Sequence, residues 1–275
     1  REHEMSLSEL ADGVHAWLAE APGPGRPNAG VVIDDDGVTV IDSLMVPSQA
    51  RPFAAAVEAL GLPVRRLVLT SSHLEQAGGT PFFPRPAVYG TAQISAHLDQ
   101  PPDVAVLRRL HPDQAGELDD ELRTRPVTHV VTERTKLTSS VHAVLVRGDL
   151  DENLVLAVPR AGVVFGGATC SFGVTPLAFQ ADPVAWADTL ADVAALGPTI
   201  VPGIGPVGGT DDLLAQSAYL YACADADHPT AVLPPGPWDE WSARENDEVN
   251  IERAAMVARG ETGIPPAMLR RAGLA

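Results

Sequence analysis

Short apolar, β-branched runs recur along the chain, separated by polar turns rich in Gly, Pro and Asp, with helical spacing between them. The sharpest break follows Leu67-Val68-Leu69-Thr70, where the run gives way to Ser71-Ser72-His73-Leu74-Glu75-Gln76 and then Ala77-Gly78-Gly79-Thr80. This pattern predicts a buried strand delivering polar side chains to a loop at its C-terminal end, where ligands sit in α/β proteins. Upstream, Leu10 to Trp17 alternates around Asp12-Gly13 and predicts an edge hairpin. Segment 21–27 is a Pro/Gly loop. Asn28 to Ile33 and Val38 to Asp42 predict two strands joined by a turn at Asp35-Asp36-Gly37. Ser48 is placed to cap a helix running to about Leu60 and closed by Gly61, and Arg65 to Thr70 is the next strand.

Downstream, Ala87 to Gly90 predicts a short strand, and Thr91 caps a short helix to His97. Residues 99–126 are rich in Pro, Asp and Arg with little period, which predicts an inserted, mostly surface segment. Strands are expected at Thr128–Thr132, Val141–Arg147, Leu154–Val158, Val163–Gly166 and Thr199–Pro202. Asp182-Pro183 opens a helix with Trp186, Leu190, Val193 and Leu196 on one face. Thr210-Asp211-Asp212 opens another to about Ala226, residues 229–237 are a Pro-rich linker, and a last helix spans about Glu240 to Arg259.

Composition narrows the function classes. At 275 residues, 45% hydrophobic and 20% charged, the chain can bury a core without disulfide staples. Its formal net charge of −17 repels phosphate backbones and anionic bilayers, so nucleic-acid and membrane partners are not expected. Cys170 and Cys223 are expected to be buried free thiols. No apolar run reaches the length of a membrane span, and no signal-peptide pattern opens the chain, so a cytoplasmic protein is expected. Arg1 is not a natural start, so further residues are expected before it.

The loop after Thr70 resembles the metal-binding motif of the metallo-β-lactamase superfamily, Thr-His-x-His-x-Asp-His before a Gly-rich turn, with Ser71, Glu75 and Gln76 in place of the first His, the Asp and the last His. Three further stretches resemble that family: Gly148-Asp149-Leu150 with Asn153-Leu154-Val155, Val164 to Cys170, and Val201-Pro202-Gly203-Ile204-Gly205-Pro206. The resemblance implies an α/β fold, a four-layer αβ/βα sandwich, with residues 1–275 as a single such domain, an insert at about 99–126 and a helical tail at about 238–275. It places Ser71, His73 and Asp149 where three His hold the first metal, and Glu75, Gln76 and Ile204 where Asp and two His hold the second. Ala168 stands at the bridging Asp. Ile cannot ligate and Ala cannot bridge, so no resident metal and no other cofactor is expected.

The remaining groups set the candidate chemistry. His73, Glu75 and Asp149 are the candidate acid/base residues, because carboxylates beside an imidazole tune it for proton transfer. Ser71, Ser72, Gln76, Ala168, Cys170 and Ile204 are candidate substrate-binding positions. His15, His97, His111, His129 and His142 lack motif context and are expected on the surface or in packing. Cys170 to Pro176 and Trp238-Asp239-Glu240-Trp241 look like bacterial thioesterase/cyclases of aromatic polyketide pathways, which implies a hydrophobic thioester or poly-β-keto substrate. The leading expectation is a metal-independent cyclase, lyase or hydrolase acting on a small molecule. The rivals are a non-catalytic protein binding a small molecule or a pathway partner, and a hydrolase with one weakly held metal. A homodimer is left open.

Overall fold

The computed structural model describes residues 6–275. Strands β1 (Ser8–Ala11) and β2 (Val14–Trp17) turn at Asp12-Gly13, as the alternation predicts. Strands β3 (Ala29–Asp34) and β4 (Gly37–Ile41) turn at Asp35-Asp36. Helix α1 (Pro47–Glu58) crosses to β5 (Val64–Val68), then a single turn α2 (Leu74–Ala77), β6 (Ala87–Gly90) and α3 (Ala92–Leu98) follow. The insert carries α4 (Val104–Leu110) and leads to β7 (His129–Val130) and β8 (Thr135–Lys136). The second half holds β9 (His142–Val146), β10 (Asn153–Val158), β11 (Val163–Ser171), α5 (Pro183–Ala194), β12 (Thr199–Ile204) and α6 (Thr210–Ala224). The chain ends in α7 (Asn246–Ala258) and α8 (Pro266–Ala272).

The strands make two sheets, in the orders β1-β2-β3-β4-β5-β6-β7 and β12-β11-β10-β9-β8. Strict alternation sorts their side chains onto two faces. Val32, Ile41 and Val68 of the first sheet meet Leu154, Leu156, Val163 and Phe165 of the second in a central core. Their chain neighbours point the other way. Val31, Val40, Leu67 and Leu69 pack under Phe53 and Val57 of α1 and Ile94 of α3. Val155, Val164 and Ile200 pack under Trp186 and Leu190 of α5 and Leu213 and Leu220 of α6. Helices thus cover the outer face of each sheet, which is the αβ/βα sandwich. Both cysteines are buried and free.

Several boundaries differ from the sequence reading. Ser48 does not cap α1. The helix opens after Val46, where Gln49 Oε1 accepts from the N–H groups of Met45 (3.2 Å) and Val46 (3.3 Å), while Ser48 Oγ donates to Glu117 (2.5 Å). Pro47 at the first helical position sets that start. The insert is mostly surface, and α4 buries no residue, yet Leu118 is fully buried with Met45, Val46 and Leu74 and anchors it. Strand β11 continues past Gly166 to Ser171 because β12 pairs alongside it. The last long helix starts at Asn246, not Glu240, because Pro237–Glu240 form a separate 3-10 turn, and α8 lies within the helical tail expected at about 238–275. Among the described residues, no helix is long and apolar enough to cross a membrane.

Candidate active site

The strand ends of both sheets meet at one edge of the sandwich, and local chemistry builds the site there. Asp42, at the end of β4, accepts from Thr70 N–H (2.8 Å) and Thr70 Oγ1 (2.7 Å), which ties the β5 loop to its neighbour. Burial pushes the Asp42 carboxyl up to about 7. His73 precedes the single turn α2, whose end is packed hard against the β4–α1 loop. A Cβ on Gly79 would lie 1.9 Å from the Ser43 carbonyl oxygen, so only glycine fits. Ser43 returns the contact by donating N–H (2.8 Å) and Oγ–H (2.6 Å) to the Gln76 carbonyl.

Asn153, fully buried at the start of β10, organises the other half. Its Oδ1 accepts from Gly148 and Leu150 N–H (3.1 and 2.9 Å), shaping the β9–β10 turn. Its Nδ2 donates to the Thr70 carbonyl (3.0 Å) and to Asp149. One amide therefore sets Asp149 against the β5 loop. Asp149 Oδ2 accepts from Ser71 Oγ (3.2 Å) and stands 2.7 Å from His73 Nδ1. His73 Nε2 lies 3.2 Å from Gln180 Oε1, and the ring stacks on Phe179 with centroids 5.5 Å apart.

These partners decide the charge of His73. Burial alone would lower its pKa, but the Asp149 carboxylate, the hydrogen bond to it, Glu75 and Gln180 outweigh burial and raise it to about 9. Both ring nitrogens then donate, one to Asp149 and one to the Gln180 carbonyl oxygen, and the Phe179 face favours a cation. The neighbours of His73 thus favour its imidazolium form.

A cavity of about 190 Å³ opens beside this pair. Of the residues expected from sequence, His73, Glu75, Gln76, Asp149, Ala168, Cys170 and Ile204 line it. Ser71 and Ser72 do not, contrary to expectation: Ser71 is buried behind Asp149, and Ser72 Oγ pairs with His97 Nδ1 (2.8 Å). Both hydroxyls serve neighbouring side chains. Glu75 meets His111 Nε2 (3.5 Å) rather than His73. Cys170 is an apolar wall residue, since burial pushes its thiol far up. Burial, then the positive His73, lower the pKa of His97.

Sequence reasoning missed four polar groups of the site. His111 and Arg271 line the cavity with Asn246, and Gln180 holds His73. They come from the insert, from the segment after β11 and from the C-terminal helices, where no motif marks them. The remaining lining is mostly apolar, including Leu107, Leu110, Val174, Phe179, Trp186 and Met268.

A family model described as the metallo-β-lactamase superfamily matches residues 22–250. The chain belongs to the metallo-β-lactamase superfamily. Similar solved structures include the metallo-β-lactamase FIM-1 of Pseudomonas aeruginosa in a mono-zinc form, at 21% identity over 78% of this chain and 94% of that one, with a TM-score of 0.61. A metallo-β-lactamase of Erythrobacter litoralis, solved with β-mercaptoethanol in its active site, is 21% identical over 79% of this chain and 98% of its own, with a TM-score of 0.58. One from Hirschia baltica is 17% identical over 78% and 97%, also at 0.58. These likenesses are of fold. No curated protein matches the chain. The metal ions that membership in the metallo-β-lactamase superfamily implies do not fit this donor set. Zinc sites take three or four protein ligands, and among the described residues no group of three His, Cys, Asp or Glu side chains converges to hold a metal. His73 Nδ1 faces a carboxylate at hydrogen-bond distance instead.

Proposed function

We propose that this member of the metallo-β-lactamase superfamily is a metal-independent acid–base enzyme of hydrolase, lyase or cyclase type, acting on a small, largely apolar substrate. The observation that carries the reading is the His73–Asp149 ion pair, 2.7 Å long, on the wall of an apolar cavity. When a substrate oxygen takes the place of Gln180 Oε1 on its Nε2–H, an imidazolium held there can polarise a substrate carbonyl and protonate the oxygen or leaving group as charge develops, the role a metal plays elsewhere. Asp149 is its counter-ion and orients it. Asp149 is a poor base, since it already accepts from His73, Ser71 and Asn153. Glu75 lines the same cavity and is the group to take the proton from water or from an acidic carbon. In a hydrolysis, water would lose its proton to Glu75 as it attacks, and His73 would donate one to the leaving group. The resemblance to thioesterase/cyclases suggests a thioester or poly-β-keto chain. The cavity is smaller than most ligand pockets, which run to roughly 300–1,000 Å³, so it suits a small molecule or one end of a longer one.

The non-catalytic alternative has one observation behind it: Ser71 and Ser72 are engaged elsewhere, Cys170 is a buried neutral thiol, and the cavity-lining hydroxyls of Ser171 and Thr175 donate to the Val174 and Ser242 carbonyls, so no hydroxyl or thiol on the wall is paired with a base. Against it, Ile204 sits on the cavity wall without filling the space. The test is turnover on a panel of aryl and acyl thioesters. His73→Ala is expected to lower turnover about 10²–10⁴-fold. Wild-type activity should survive chelator and fall as pH rises through about 9, where His73 loses its proton. Equal rates in wild type and His73→Ala would remove His73 from the mechanism. Loss of activity on chelation would overturn metal independence.

A further inference from the structure

We infer that Arg271 makes this cavity a receptor for a carboxylate, so that its ligand is an apolar molecule with an acidic end. The inference rests on the proposal above that the cavity takes the substrate, and it deepens that proposal by naming the substrate class.

Arg271 sits in the last turn of α8, outside residues 22–250 where the family model matches. Its placement is fixed locally. Ala267 N–H at the start of α8 donates to Glu252 of α7 (2.7 Å), and Arg270 pairs with Glu248 of α7 (2.7 Å). Met268, on the inner side of α8, is buried against Val249 of α7 and lines the cavity beside Arg271. Arg271 Nη1 donates to Asn246 Oδ1 (2.7 Å), and buried Asn246 is itself held by donating Nδ2 to the Thr175 carbonyl (2.9 Å). The guanidinium is therefore positioned by a neutral partner. Among the described residues no carboxylate lies within ion-pair distance of it, and its Nε and Nη2 groups make no hydrogen bond. Arg271 is the one Lys or Arg side chain on the cavity wall among the described residues. Its free edge is the planar fork that fits a carboxylate in a bidentate pair.

Two polar atoms of residues on the same wall are unpartnered. Gln76 is 4% exposed and lines the cavity, yet its buried Oε1 has no hydrogen-bond partner. His111 Nδ1 on the same wall is also buried and unpartnered. Neither atom presents accessible surface to the cavity, so recognition of the anion falls to Arg271. His73 does not replace Arg271 as the anion site, because Asp149 already neutralises it.

The experiment measures binding by calorimetry, independently of turnover. The probes are 4-phenylbutyrate, its neutral amide and a phenylalkyl phosphate of matched length, tested against wild type, Arg271→Gln, Arg271→Lys and His73→Gln. Wild type is expected to bind the carboxylate about 10- to 100-fold more tightly than the amide. Arg271→Gln should lose that preference with an unchanged melting temperature, Arg271→Lys should keep part of it, and His73→Gln should keep most of it. Equal binding of acid and amide by wild type, or no binding of either, would overturn the inference. Preference for the phosphate would overturn the carboxylate assignment, and loss of preference in His73→Gln alone would move the anion to His73. The acid–base reading fails on a different measurement, unchanged turnover in His73→Ala, so the two failures are distinct.

Discussion

At the scale of single residues, the charge of His73 links structure to pH. Its pKa rises from an ordinary 6.5 to about 9 in the folded chain. A group whose folded pKa is raised stabilises the fold fully below the unfolded value and loses that contribution as pH climbs through the folded value. Here the window runs from 6.5 to about 9, and the stabilisation at stake is on the order of 3 kcal/mol. Asp42 acts in another window. Its pKa is raised from 3.8 to about 7, so the cost of ionising it grows between those values and is complete above them. Urea midpoints taken between pH 7.5 and 8.5 therefore isolate His73, since above that range the buried thiols of Cys170 and Cys223, whose pKa values burial raises from 9.0, weaken the fold as well. Wild type is expected to weaken across that range, and His73→Gln to stay nearly flat. NMR titration should put the His73 ring near 9 in wild type and well below it in Asp149→Asn. A wild-type ring titrating near 6.5 would remove the imidazolium from the mechanism.

At the scale of elements, the site depends on one turn being fastened to one strand end. Asn153 makes four hydrogen bonds there, to Gly148, Leu150, Thr70 and Asp149. Replacing it removes partners from buried donors and acceptors, each costing about 1–3 kcal/mol when left unsatisfied. Asn153→Ala is expected to cost roughly 2–5 kcal/mol in chemical denaturation and to lower the His73 pKa, because Asp149 loses its orientation. Asn153→Asp is expected to be nearly as damaging, since it removes the Nδ2 donor and sets a second carboxylate beside Asp149. An Asn153→Ala protein with native stability and an unshifted His73 would show that the β9–β10 turn holds Asp149 without it.

At the scale of the whole molecule, two sheets and their helices frame the site. Side-chain hydrogen bonds link the two halves directly: Asn28 Nδ2 donates to the Pro202 and Gly205 carbonyls (3.0 and 2.8 Å), and Asn153 reaches Thr70. A ligand stabilises a protein only by binding its native state. Chelator is therefore expected to leave the melting temperature unchanged, and protein purified without chelator should hold far less than one zinc per chain. Near-stoichiometric zinc by elemental analysis, or a melting temperature several degrees lower with chelator, would contradict both the donor geometry and the proposed mechanism.

The sequence by itself determined most of the strands and helices, and its resemblance to the metallo-β-lactamase superfamily implied the sandwich they form. Short apolar runs such as Val31 to Ile33 and Leu67 to Leu69 mark strands buried on both faces, and Asp-Gly turns and the Asp182-Pro183 start state where elements change. It also named His73, Glu75, Asp149, Gln76, Ala168, Cys170 and Ile204, because strand-end motifs are local in sequence, and all of these reach the cavity. Tertiary structure alone decided the rest. Whether a hydroxyl faces a cavity or a neighbour depends on partners far along the chain, so only the fold turned Ser72 toward His97 and Ser71 toward Asp149. The sign of the His73 shift was equally out of reach, since burial and carboxylates oppose each other and distance decides between them. His111, Gln180 and Arg271 carry no motif, and they join the site because α4, the segment after β11 and α8 fold back over the strand ends, which hydrophobic packing of Leu110, Phe179 and Met268 brings about.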